Sequence, residues 1–209
     1  MVPHTVFLLL AALTALTTSS TIPLHKRDPP NIPSPPEASR LLELMVVSPQ
    51  GPQTGYSRTK FPHWITINGP CNTRETVLKR DGMNVTVGKN CSPKSGSWYS
   101  TYDGVTLTSS SNVDIDHVVP LSDAWKSGAS GWTRERRRDF ANDMENPQLI
   151  SVQGKVNKEK GDKGPDKWKP PLPTYHCTYA CMWVKVKSAY NLTITDPEKQ
   201  ALMDMLGTC

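Results

Sequence analysis

Beyond residue 20 the chain has no apolar run long enough to cross a bilayer, which excludes a membrane-spanning helix in its body. No internal repeat is visible, so a solenoid or propeller array is excluded too. Strong charge of one sign is also missing. Against 19 Asp and Glu stand 24 Lys and Arg, a net +5. That mild basic balance permits a polyanionic partner without demanding one. A length of 209 residues leaves room for one domain with a real core, not for two.

What is present first is a leader. Val6 to Leu16 is an apolar run, followed by the small polar stretch Thr17 to Thr21. This reads as a signal peptide over residues 1–20, cut near Ser20, rather than as a buried N-terminal helix. Lys26-Arg27 then precedes Asp28 to Pro36, where five of nine residues are proline. A dibasic pair in an extended segment suits a secretory processing protease, though a solvated charge pair is the plainer alternative. Residues 21–36 are thus expected to be a propeptide and Pro-rich linker, and 37–209 the functional domain. Loss of Lys26 and Arg27 lowers the net charge to +3.

Five cysteines in an exported chain predict disulfides. Cys71 and Cys91 bracket one compact segment and are natural partners. Cys209 is expected to return to Cys177 or Cys181, leaving one thiol. Those two are one helical turn apart, a poor geometry for pairing with each other. Sequons at Asn84, Asn90 and Asn191 agree with export.

The element pattern is that of an α+β domain. Helices are expected over 37–47, 71–81, 133–143, 156–160 and 174–190, with a last one capped by Thr195 and Glu198. Leu41, Leu42, Met45 and Val46 form the apolar face of the first. Strands are expected over 83–87, 113–119 and 148–152, and a hairpin over 97–107 turning at Asp103-Gly104.

The chemistry concentrates in Asp114-Ile-Asp116-His117-Val-Val-Pro120. Two carboxylates and a histidine among β-branched neighbours offer oxygen ligands for a hard cation and a neutral imidazole able to take a proton. On a strand, period two sets Asp114 and Asp116 opposite His117, so a turn after Asp116 is expected to bring Asp116 and His117 to one ion. Downstream come Asn146-Pro-Gln-Leu and Asn157-Lys-Glu-Lys160-Gly161, with an amide oxygen for a metal and an ammonium for a phosphate. Each residue alone has a bland reading: a surface turn, a core histidine, a helix cap.

Taken in order, these segments resemble the HNH nuclease motif. The wider pattern, from Tyr56 through Cys71-Asn-Thr-Arg-Glu, Trp132 and Cys209, is similar to secreted HNH proteins related to the GmrSD endonuclease C-terminal domain. The resemblance implies a single domain with a ββα-metal core, extra helices and disulfides. It implies Asp116 and Asn157 as ligands of one Mg2+ or Mn2+, with Asp114 as an extra carboxylate to bind the metal or orient His117. His117 becomes the general base, Asn146 steadies the loop holding it, and Lys160 lies near the phosphate path. Two departures stand out. Asn157 replaces the commoner His, and no paired CxxC zinc knuckles flank the motif, a structural role that disulfides can take over.

Between Lys126 and Lys169 lie eleven basic and seven acidic residues. Arg134, Arg136, Arg137, Lys158 and Lys163 are the candidates for tracking nucleic-acid phosphates, against the plainer reading of a solvated face. Trp125, Trp132 and Trp168 are read as core more than as base-stacking platforms. His63-Trp64 and His176 are read as packing. The expected activity is hydrolysis of phosphodiester bonds in DNA, RNA or both, with little sequence preference, by a secreted monomer. A metal-independent ribonuclease and a non-catalytic secreted binding protein are the alternatives.

Overall fold

A computed structural model describes Met1 and residues 28–209; the expected leader and the Lys26-Arg27 pair lie outside the described residues. The protein is an α+β fold of small antiparallel sheets and seven α-helices among those residues. None of these helices is long and apolar enough to cross a membrane.

The Pro-rich stretch expected to be a free linker is docked on the body. Pro29 is buried, Ile32 packs on the core, and Asn31 donates to the Glu145 carbonyl at 2.8 Å. Helix α1 (Pro35–Leu44) starts inside it, with proline in the first turn where no N–H is needed. It ends before Val46, which is exposed rather than part of the buried face.

A hairpin of two very short strands, β1 (Thr66–Asn68) and β2 (Cys71–Asn72), leads into α2 (Thr73–Asp81). Asn72 and Glu75 form a reciprocal capping box there. Strands β3 (Met83–Val87), β4 (Pro93–Ser100) and β5 (Val105–Leu107) make a three-stranded meander. The Asp103-Gly104 turn closes its second hairpin, where Gly104 takes φ +76°.

Strand β6 (Val113–His117) pairs antiparallel with β7 (Leu149–Gln153), Asp116 opposite Ile150 and His117 opposite Leu149. The long connection between them carries α3 (Leu121–Lys126) and α4 (Arg134–Ala141). Helix α5 (Gly154–Lys160) follows β7 directly and stops at Gly161, where φ is +56°. Helices α6 (His176–Ala189) and α7 (Asp196–Leu206) complete the chain, the latter capped by the expected Thr195/Glu198 box.

The β6–β7 pair separates two apolar clusters. Val113, Ile115 and Leu149 face the smaller, with Val77, Leu78 and Trp98. Ile150 and Val152 face the larger, with Tyr102, Tyr179 and Trp183. Period two along a central strand pair therefore sends alternate residues into different cores.

Inside the larger one sits an ionic knot. Lys187, fully buried, lies 2.7 Å from both Asp123 and Glu198. Burial alone would depress its ammonium, but the two carboxylates together hold it above the usual lysine range.

Cys71 pairs with Cys91 and Cys177 with Cys209, which resolves the choice left open by spacing. Cys181 is the buried free thiol, and burial pushes it up to about 11, out of the reactive range. The double variant Cys71→Ser/Cys91→Ser is expected to lose about 3 kcal/mol of stability by loop-closure entropy. A chemical-denaturation midpoint equal to that of the parent protein contradicts this.

Candidate active site

The end of β6, the turn after it and α5 enclose a cavity of about 260 Å³ lined by Asp116, His117, Ser122, Asn157, Asp162 and Arg58, among others. The expected turn after Asp116 is not needed. β6 continues through His117, and the cavity lies at the strand end, where residues of opposite faces both reach it.

His117 is 5% exposed, and its Nε2 lies 2.9 Å from the Ala141 carbonyl. A carbonyl only accepts, so Nε2 carries the proton and Nδ1 is left as the lone-pair nitrogen. Nδ1 has no hydrogen-bond partner among the described residues. The Trp64 ring lies nearly parallel to the imidazole, centroids 5.4 Å apart. Burial pushes the imidazole down to about 3, against the Ala141 hydrogen bond, which favours its protonated form. The ring is therefore neutral near pH 7 and free to accept a proton, though the same burial makes it a weaker base than an exposed imidazole.

Asp116 accepts from Lys160 Nζ at 2.9 Å and from the Tyr102 hydroxyl at 2.7 Å. Burial raises its carboxyl above the usual carboxylate range, and Lys160 and Tyr102 offset only part of that rise. Lys160 has no exposure at all, and its ammonium also donates to the His117 carbonyl at 3.0 Å. This corrects the expectation of a phosphate contact: the lysine is an internal counter-ion that ties α5 to the end of β6.

Asn157 on α5 lines the same cavity as Asp116 and His117. Its amide donates to Asp114 at 3.3 Å. Asp114 itself does not line that cavity. It lines a larger neighbour of about 580 Å³ together with Gln153, Lys155 and Lys158. Three of the expected residues thus come together, and the fourth stands beside them.

The loop that orients His117 is held at several points. Asn146 donates to Asp143 at 2.8 Å, and Asp143 also accepts two backbone N–H groups. Gln148 accepts from Val119 N at 3.0 Å and donates to Val119 O at 2.8 Å, clamping the turn beyond His117. Asn142, adjacent to the Ala141 carbonyl, donates to Pro62 O and Arg138 O, both at 2.7 Å. It accepts from Thr73 Oγ1 at 2.6 Å and from Ile65 N at 3.2 Å. Sequence reasoning assigned loop-steadying to Asn146 and passed over Asn142, whose partners lie about seventy or more residues upstream, Arg138 excepted.

The basic face is largely engaged with the protein itself. Arg137 donates to the carbonyls of Lys60, Ala129 and Trp132 and lies over the Trp125 ring. Arg136 donates to Tyr190 O and covers Trp132. Lys163 donates to the Glu159 carbonyl. Arg134 and Lys158 stay exposed without side-chain hydrogen bonds or ion pairs to described residues, Lys158 at the rim of the larger cavity. The sequence reading missed Arg58 at the site and treated Trp64, which covers the imidazole, as mere packing.

Residues 80–205 match the family model described as GmrSD restriction endonucleases, C-terminal domain. An uncharacterized secreted protein of Arthroderma benhamiae (strain ATCC MYA-4681 / CBS 112371) is 60% identical over 206 residues, covering 99% of this chain and 99% of that protein. No solved structure matches the chain.

Proposed function

The chain belongs to the GmrSD restriction endonuclease C-terminal domain family, and on that footing we propose that it is a secreted HNH-type nuclease hydrolysing phosphodiester bonds in DNA, RNA or both. The observation that carries the reading is the neutral, single-tautomer His117 in one cavity with Asp116 and Asn157. The strand pair β6–β7 running into α5 supports a ββα-metal core. Export is supported by the name of the secreted relative and by the two disulfides. Residues 1–20 are then a signal peptide, 21–27 a propeptide, and 37–209 the nuclease domain, with the Pro-rich stretch 28–36 docked on it.

Of the oxygen donors lining the cavity, which include Asp162 and Ser122, the Asp116 carboxylate and the Asn157 amide are the two that the HNH resemblance assigns to a metal. No group of three His, Cys, Asp or Glu side chains gathers among the described residues. Two protein ligands suit Mg2+ or Mn2+, hard ions that keep much of their water shell and share the rest with substrate phosphate. When bound, such an ion supplies charge neutralisation at the phosphate and the leaving 3′-oxygen.

The protein does the rest. His117 Nδ1 accepts a proton from the attacking water while the water oxygen bonds to phosphorus and the bond to the 3′-oxygen breaks. Ala141 holds the imidazole through Nε2–H, and Trp64 covers one ring face, which keeps bulk water from that side. Lys160 and Tyr102 fix the Asp116 carboxylate in place.

Plasmid DNA and a structured RNA incubated with the purified protein, in Mg2+ and in EDTA, test this. Cleavage in Mg2+ that is abolished by EDTA is expected. RNA cleavage that survives EDTA points to a metal-independent ribonuclease, and cleavage of neither to a non-catalytic binding protein.

A further inference from the structure

Residues 56–64 precede the matched family span of 80–205, yet they close one side of the candidate active site. Tyr56 and Arg58 line the cavity, and Trp64 stacks on His117. The segment is firmly seated. Phe61 is fully buried, within about 6 Å, ring centre to ring centre, of Tyr56, Trp125 and Phe140. Asn142 grips the backbone at Pro62 and at Ile65. Trp64 takes φ +57°, a left-handed conformation that costs a bulky residue energy and is held only where the surroundings insist on it. Because Asn142 follows Ala141, one side chain fixes both the carbonyl that orients His117 and the segment that carries Arg58.

Arg58 is the one Lys or Arg side chain among the described residues lining the cavity. Its aim is set by His63. His63 Nδ1 lies 2.8 Å from the Phe61 carbonyl, which makes Nδ1 the donor and Nε2 the acceptor. Arg58 Nε donates to that Nε2 at 3.4 Å. The guanidinium therefore spends one edge on His63. Its two terminal amino groups have no hydrogen-bond or carboxylate partner among the described residues. An exposed fork of donors, unpaired and beside a proton acceptor, has the form of a phosphate receptor. Of the other cations expected to meet phosphate, Lys160 is spent on Asp116, Arg136, Arg137 and Lys163 are spent on carbonyls, and the exposed Arg134 and Lys158 do not line this cavity.

We propose that Arg58, aimed by His63, binds the phosphate group of the nucleic acid being cleaved, and that residues before the matched family span supply it. This rests on the nuclease reading above. His63 acts through Arg58 and is a positioning residue.

The test compares Arg58→Ala, Arg58→Lys, His63→Ala and His63→Gln with the parent protein and His117→Ala. The probes are cleavage of an oligonucleotide in Mg2+ and binding of the same oligonucleotide in EDTA across a salt series. Arg58→Ala is expected to lower kcat/KM by about 10- to 100-fold, the worth of hydrogen bonds to a charged group. It should also reduce the salt slope of binding by about one. Arg58→Lys recovers the salt slope but only part of kcat/KM, since a point charge lacks the fork. His63→Ala follows Arg58→Ala in direction, and His63→Gln, which restores an acceptor near Nε2, recovers most of the loss. Because Arg58 is exposed, melting temperatures should not move. If the parent cleaves, His117→Ala does not, and Arg58→Ala matches the parent in rate and salt slope, the arginine assignment is overturned and the nuclease reading stands. If the parent neither binds nor cleaves, the nuclease reading falls and takes Arg58 with it.

Discussion

Lys160→Met is expected to lower the unfolding free energy by about 3–5 kcal/mol, the usual cost of leaving a buried charge without its partner. The ammonium is fully buried and bonded to the Asp116 carboxylate at 2.9 Å and the His117 carbonyl at 3.0 Å. Methionine fills the space but leaves Asp116 with only the Tyr102 hydroxyl. The double variant Lys160→Met/Asp116→Asn removes both charges and should recover much of the loss. Urea denaturation of the three proteins measures this. A single variant as stable as the parent would show that the pair holds nothing together. Asp116 consequently has two duties, and its replacement by alanine is expected to destabilise the fold as well as the site.

His117→Ala should lower turnover by about 10²–10⁴-fold, the usual contribution of a positioned general base. His117→Gln is the sharper variant. It keeps an N–H for the Ala141 carbonyl and so preserves the loop, but offers no nitrogen lone pair to the water. Both variants should fall by similar factors, with oligonucleotide binding retained. Activity that survives in His117→Gln makes the residue a structural anchor of the 141–148 loop instead.

Local signals in the sequence proved to be good guides to local structure. The Thr195/Glu198 box, the Asp103-Gly104 turn and the bracketing cysteines act over short spans, and each appears where expected. The ordered motif also located β6, β7 and α5. Helix α3 escaped notice because it is short and follows a proline, and its buried Ser122 and Asp123 look like surface residues in sequence. Strands β1 and β2 are too short to show alternation.

At the site the limit was sequence distance. Asn142 reaches Pro62, Arg80 reaches the Leu149 carbonyl and Arg137 reaches Lys60. No periodicity carries such pairings, because they depend on how the elements dock. A lysine two turns along a helix also looks the same in sequence whether it meets solvent or, like Lys160, a buried carboxylate. Arg58 was invisible for the same reason: only the fold carries it across to His117.

The central claim is that His117 is the base and that Asp116 and Asn157 hold the ion. The most direct test is cleavage rate against Mg2+ concentration for the parent, His117→Ala and Asn157→Ala. His117→Ala should be slow at every concentration. Asn157→Ala should need more Mg2+ and approach the parent rate when it is in excess. Rescue of His117→Ala by metal but not of Asn157→Ala inverts the two roles, and three superimposable curves place the active centre elsewhere.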